Sequence, residues 1–421
     1  MALVTESVAD ICLAAKAASR VLARADTSTK NAALHAIGEA LIARTPEILE
    51  ANARDLEAGR EAGLSEALID RLRLDAERVA GIAAGARAVA ALPDPVGEVL
   101  DGGRLYNGLD VRRVRVPLGV IAVVYESRPN VTIDCAALCL KSGNAIVLRG
   151  SSSAIHSNGM LTEIVRDAVA GAGLPEAAVS LVAGGGRAEL GELATQRESV
   201  DLIIPRGGEG LKAALMAVAT VPVIYAAAGV NHVFVDVSAD LDDAIAIAVN
   251  AKAQRPSACN AAETLLVHAG VAGAFLPRAL PALRAAGVAL RLDERAAALA
   301  GEPGDEAATE EDWAAEYLAL VLAVGVVDSV DAAIEHVGRY GSGHSEAIVT
   351  GSAASARAFQ LGIDAACVYV NASTRFTDGG EFGMGAEIAN STQKLHARGP
   401  IGLSELCTYR YLVEGSGQVR T

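Results

Sequence analysis

Residues 117–150 read PLGVIAVVYESRPNVTIDCAALCLKSGNAIVLRG, and this stretch decides the fold. From Gly119 to Tyr125 the apolar residues run on without polar alternation, which marks a strand buried on both faces. Glu126-Ser127-Arg128-Pro129-Asn130 is a loop. A helix is predicted over Val131–Lys141, and a second apolar strand over Ala145–Leu148 that ends at Arg149. Strand, helix and strand in that order make a parallel sheet covered by helices, whose ligands bind beyond the carboxyl ends of the strands. The fold class expected is therefore α/β.

The pattern continues outward from there. Ile155–Gly171 reads as a helix, and Val179–Val182 and Leu202–Pro205 as strands. Arg206-Gly207-Gly208-Glu209-Gly210 opens a helix that runs through Val218. Val221–Tyr225 and His232–Asp236 read as further strands. Arg149, the serines after it and the Arg206-Gly207-Gly208 turn thus gather at one rim. Upstream, residues 1–92 are helical by their apolar spacing, with Pro46 at a first-turn position. Val99–Pro117 forms two strands around the Asn107-Gly108 turn. An isolated hairpin is barely stable in water, so this one is expected to pack on something, such as another subunit.

A second α/β block starts with the helix Asp240–Ala253, which leads into NAKAQRPSACNAAETLLVH, residues 250–268. Pro256 stops the helix, so Cys259 falls on a polar turn before the strand Thr264–His268. Most single cysteines are small buried hydrophobes. The Arg255-Pro256-Ser257 context, with Lys252 nearby, instead supplies positive potential that favours thiolate, the nucleophilic form. Cys259 is read as a catalytic thiol. Glu263, four residues on, is a possible base but is read as supporting the loop. Strands are expected at Leu318–Val327, Ala347–Thr350 and Cys367–Asn371, with a helix at Val330–Val337 and a last strand at Cys407–Val413. The stretch 373–400 is long, polar and glycine-rich, and carries Arg375, Lys394, His396 and Arg398. A loop of that length with several apolar residues is read as functional. The acidic, alanine-rich stretch 294–312 reads as a surface excursion.

Composition bounds the function. The 421 residues are 52% hydrophobic and 21% charged, enough to bury a large core in two or three domains. A net charge of −15 argues against a nucleic-acid partner. Cys135 and Cys139 lie one helical turn apart in an apolar run and read as core, so no metal is expected. No apolar run is long enough to span a membrane and no leader pattern opens the chain, so a cytoplasmic setting is expected.

Five stretches carry a family resemblance: 116–150, LIIPRGG (202–208), 250–268, GSGHSEAI (341–348) and VYVNASTRFTDGGEFGMGAEIANSTQKLHARGPIGL (368–403). With them the chain resembles the γ-glutamyl phosphate reductase (glutamate-5-semialdehyde dehydrogenase) family of the aldehyde dehydrogenase superfamily along essentially its whole length. The resemblance implies two Rossmann-like parallel-sheet domains and a small β-ribbon for oligomerisation. Residues 1–100 and 117–231 would bind cofactor, 232–395 would carry catalysis, and 101–116 with 396–421 would form the ribbon and C-terminal strand. The implied reaction is NADPH-dependent reduction of L-glutamyl 5-phosphate to L-glutamate 5-semialdehyde and phosphate, the second step of proline biosynthesis, through a Cys259 thioester. Asn130 and the Cys259 backbone N–H are the implied oxyanion donors. Arg149, Ser152, Arg206, Gly207, Gly208 and Glu316 would hold NADPH/NADP. Arg149, with no carboxylate near it, suits a 2′-phosphate. Arg375, Lys394, His396 and Arg398 would hold the substrate. Hydrolytic relatives place a water-activating Glu where this chain has Ala226–His232, which contains none. Implied partners are a second copy (a dimer or tetramer) and the glutamate 5-kinase that makes the substrate. A CoA-acylating aldehyde dehydrogenase is the alternative.

Overall fold

A computed structural model of the chain describes residues 6–183, 186–226, 228–300 and 305–420. Residues 301–304 of the acidic stretch, and Ala227 in the 226–232 stretch, lie outside the described residues. There are two compact units. One comprises Met1–Tyr225, Met384–Ala389 and Ile401–Thr421, the other Ala226–Gly383 and Asn390–Pro400.

The first unit begins with five helices: α1 (Val8–Leu22), α2 (Thr27–Ala43), α3 (Thr45–Glu61), α4 (Glu66–Leu72) and α5 (Ala76–Ala91). Side chains of Ser7, Asp26, Ser65 and Asp75 cap four of them by accepting first-turn N–H groups. Next come β1 (Val99–Arg104) and β2 (Asp110–Pro117), an antiparallel hairpin as the Asn107-Gly108 turn predicts. The sheet elements follow: β3 (Val120–Tyr125), α6 (Asn130–Lys141), β4 (Ala145–Arg149), α7 (Ile155–Gly171), β5 (Val179–Leu181), α8 (Arg187–Ala194), β6 (Leu202–Arg206) and α9 (Glu209–Met216). The strands pair in parallel in the order β5-β4-β3-β6. Every residue of β3 and β4 is buried, which accounts for their unbroken apolar reading. Gly119 enters β3 at φ +131, and a Cβ there would overlap the Asp201 carboxylate, which accepts the Val120 N–H at 2.8 Å and pairs with Lys16.

Val221–Tyr225, expected as a strand, contributes only an isolated bridge from Val223 to Ile203. Pro222 has no N–H to donate, so a single rung forms around the Pro222 carbonyl and Ile224 N–H.

The second unit contains β7 (Asn231–Val235), α10 (Leu241–Ala253), β8 (Ala262–His268), α11 (Ala269–Ala285), β9 (Ala289–Leu292), α12 (Glu294–Ala297), β10 (Glu306–Ala307), β11 (Val321–Val327), α13 (Val330–Tyr340), β12 (Ser345–Val349), α14 (Ala353–Gly362) and β13 (Cys367–Val370). Its seven strands run parallel in the order β10-β9-β11-β8-β7-β12-β13. The larger buried cluster joins β7, β8 and β11 to α10 and α11, through residues such as Val235, Leu265, Val267, Phe275 and Val324. The other lies under α13 and α14, around Phe234, Leu266, Ile348 and Phe359. β11 starts three residues later than expected because Leu318 takes a left-handed conformation, φ +52, which no strand tolerates.

β14 (Ala389–Ser391) and β15 (Gly399–Ile401) make a short pair. The last strand, β16 (Cys407–Glu414), returns to β2 and pairs with it antiparallel over eight residues, completing the sheet β1-β2-β16. No helix among the described residues is long and apolar enough to cross a membrane.

Candidate active site

The Cys259 loop is built by two opposed constraints. Asp240 caps α10 by accepting the N–H groups of Asp242 and Asp243, and the helix runs to Ala253 before Pro256 blocks it. The chain then turns twice, Ala258 N–H donating to the Arg255 carbonyl and Ala261 N–H to that of Ala258. Cys259 stands exposed at the apex, while Asn260 and Ala261 on its far side are already buried. Of the chain's free cysteines, the other five are buried.

Two asparagines hold this apex. The Asn231 side-chain amide, at the start of β7, donates to the carbonyls of Gly229 (2.9 Å), Cys259 (2.8 Å) and Ala261 (2.7 Å). Its Oδ1 accepts the Ser345 N–H at 3.1 Å. Asn260 points the other way. Its Nδ2 donates to the Thr377 carbonyl at 2.9 Å, and its own carbonyl accepts the Thr374 hydroxyl at 2.7 Å. Asn260 Oδ1 is buried and has no hydrogen-bond partner among the described residues.

Asn260 therefore fastens the thiol loop to the segment that carries Arg375. The Arg375 Nε donates to Gln254 Oε1 at 2.8 Å, just beyond α10. Burial and the neighbouring Arg255 hold the Arg375 pKa below its usual value, while Cys259 and Asp378 pull it up. The guanidinium is thus close enough to the sulfur to feel its charge, and the attraction is mutual.

Lys252 does something different from the sequence reading. It is fully buried and its ammonium is committed to an ion pair with the equally buried Glu263, with the Tyr317 ring 5.7 Å from Nζ. Positive charge reaches the thiol from Arg375 instead. Burial pushes the Glu263 carboxyl up to about 7 against the pull of Lys252. A group so enclosed braces the loop, as the sequence reading preferred. Glu316 accepts the Gly229 N–H at 2.7 Å through Oε1.

Of the residues read as cofactor ligands, Arg149 and Ser152 lie at the carboxyl end of β4 and Arg206, Gly207 and Gly208 at that of β6 in the first unit, whereas Glu316 belongs to the second. Arg149 is buried and its Nη2 donates to the Gly186 carbonyl at 2.7 Å. Glu189 is near enough to act on it electrostatically, so the expectation of no nearby carboxylate does not hold: α8 brings one in from forty residues away. The hydroxyls of Ser127, Ser151 and Ser153 bond to one another beside the exposed Ser152. Gly208 has open space where a side chain would stand, and its N–H donates to Glu126 Oε2 at 3.1 Å. Arg206 closes β6 next to that turn. Asn130 opens α6, with its amide donating to Asp134 Oδ2 at 2.9 Å.

The basic segment is arranged around an acid that the sequence reading did not weigh. Lys394 (2.5 Å) and Arg398 (2.7 Å) both pair with Asp364, whose carboxyl they hold below the usual range. His396 between them is exposed at φ +68. Asn231, Gln254 and Asp364 escaped sequence reasoning, while Asn260 was legible only as part of the polar context of Cys259. Of these only Asn231 left a trace, as a polar residue opening a buried strand.

The Aldehyde dehydrogenase family pattern matches residues 2–298, more than half of the chain, and the chain belongs to that family. Within it, gamma-glutamyl phosphate reductases are the chain's relatives at high identity. Those of Thermobifida fusca and Moorella thermoacetica are each 55% identical over 406 residues, covering 96% of this chain and 97% of theirs. The crystal structure of the Thermotoga maritima gamma-glutamyl phosphate reductase superposes with a TM-score of 0.97 at 47% identity, covering 99% of this chain and all of that one.

Proposed function

We propose that this chain reduces L-glutamyl 5-phosphate to L-glutamate 5-semialdehyde with release of phosphate, using NADPH, as the second step of proline biosynthesis. The observation that carries the reading is the exposed Cys259, pinned between Asn231 and Asn260 with the Arg375 guanidinium beside it. Relatives named for this reductase supply the substrate class.

The chemistry follows from the residues. The Cys259 thiolate attacks the acyl carbon, the bond from that carbon to the phosphate oxygen breaks, and phosphate leaves with the electron pair. The product is a thioester on Cys259. The backbone N–H of Cys259 and the Asn130 amide are the proposed donors to the tetrahedral oxygen. Arg375, with Lys394, His396 and Arg398, is proposed to hold the substrate's anionic groups in a protein whose net charge is −15. Glu263, four residues after the thiol, is sealed against Lys252 and so is not placed to activate water. The thioester is therefore kept for reduction rather than hydrolysis.

The first unit's rim fits a nicotinamide dinucleotide. Its glycine turn already seats an anion, the Glu126 carboxylate, on the Gly208 N–H, and the Ser127, Ser153 and Ser151 hydroxyls lie alongside in a bonded row. Arg149, Ser152, Arg206, Gly207 and Gly208 would hold the cofactor there, and Glu316 its nicotinamide ribose. When bound, the reduced cofactor supplies the hydride that converts the thioester to the aldehyde. A homo-oligomer in the cytoplasm, receiving substrate from a glutamate 5-kinase, completes the proposal.

The test is the reverse reaction: glutamate 5-semialdehyde, phosphate and NADP⁺, followed by NADPH absorbance. Turnover that requires phosphate supports the reading. Turnover that requires coenzyme A in place of phosphate overturns it in favour of an acylating enzyme.

A further inference from the structure

We propose that Asn231 is a positioning residue for the reaction: its side-chain amide sets where the Cys259 sulfur stands. The inference rests on the reading of Cys259 as the nucleophile. Asn231 is wholly buried, and its two amide hydrogens are shared among three carbonyls on two loops, those of Gly229, Cys259 and Ala261. Two of the three flank Asn260, so the amide grips the loop on both sides of its turn. Oδ1 is held in turn by the Ser345 N–H from the neighbouring strand β12. The amide's orientation is thereby fixed, since a flipped one would face carbonyls with its oxygen and an N–H with its NH₂.

The approach is close as well as bonded. A Cβ on Gly229 would overlap the Cys259 carbonyl oxygen, so the 229 backbone forms a wall on which the nucleophile's own peptide rests. Glu316 accepts the Gly229 N–H and keeps that wall in place. From the opposite side Asn260 reaches the Arg375 segment. The thiol-bearing peptide is thus clamped through its carbonyls. Removing the amide would leave three carbonyls short of a donor and let the apex relax. A displacement of about 1 Å at a reacting atom can cost on the order of a hundredfold in rate.

The experiment uses the full-length chain and compares wild type with N231A, N231S and C259S. Reactive thiol is counted by iodoacetamide burst titration, so that misfolded chains do not enter the rate. The expected result is a kcat per titrated thiol reduced about thirtyfold or more in N231A, with KM for substrate and cofactor within threefold of wild type. N231S, which keeps one short donor, falls between them. A kcat per titrated thiol within twofold of wild type in both Asn231 variants, whatever their Tm, overturns the proposal and leaves Asn231 a structural residue. C259S separates the two readings. If it stays active, the nucleophile reading fails and the positioning role with it. If it is inactive while N231A is normal per site, only the positioning role fails.

Discussion

A cysteine becomes a nucleophile here through what surrounds its peptide, and single substitutions should show it. C259S is expected to fold with an unchanged Tm and to lose activity by several orders of magnitude, because no base adjoins a serine at that position. Retention of more than about a hundredth of wild-type turnover would require hydride attack on the acyl phosphate itself. R375A removes a half-buried cation that acts on the sulfur. Its kcat/KM for the acyl phosphate should drop by about 2–4 kcal/mol equivalent, with KM for NADPH nearly constant. Initial-rate kinetics with each substrate varied in turn will show whether the loss is confined to the phosphate side. The sequence made Cys259 and Arg375 legible as residue types in a telling context. It could not reveal that Lys252 turns inward, because the choice between Glu263 and solvent is made by packing between α10 and β8.

At the scale of elements, the segments that carry the site were read almost to the residue. The helix predicted at Ile155–Gly171 matches α7, and that at Asp240–Ala253 differs from α10 only by its cap. Apolar periodicity and caps are local information, so they survive without the rest of the chain. The pairing of Arg149 with Gly186, and of Asp364 with Lys394 and Arg398, is long-range and left no local sign. Two element-scale predictions follow from such pairings. E263Q leaves the buried Lys252 ammonium without its counter-charge, and should cost about 3–5 kcal/mol of stability, whereas replacing both residues by leucine and methionine should be far milder. Urea melts of the single and double variants will separate a needed pair from a replaceable one. E126A frees the Gly208 N–H, so the KM for NADPH should fall severalfold. An unchanged KM would mean that the turn does not meet the cofactor.

On the whole molecule, burial writes a pH dependence into stability. Burial holds His344, in the strand-leading GSGHSEAI segment, down at about 4, while an unfolded imidazole titrates near 6.5. As pH falls below 6.5 the unfolded chain takes up a proton that the folded one refuses, so stability is lost until pH reaches about 4, where both forms are protonated. The shift corresponds to about 3 kcal/mol. H344Q should therefore lose less stability than wild type between pH 6.5 and 4, and equal losses in chemical melts at those two pH values would refute the assignment.

The pairing of β2 with β16 has a consequence in time rather than space. Arg112 lies opposite Leu412, three hundred residues along the chain. A ribosome makes β2 some three hundred residues before β16, so through that stretch of synthesis the hairpin waits with one edge bare. A message cut short, or a chain clipped before Cys407, would strand that edge for good. Molecules that lack β16 would be marked for clumping and removal by the exposed backbone of β2.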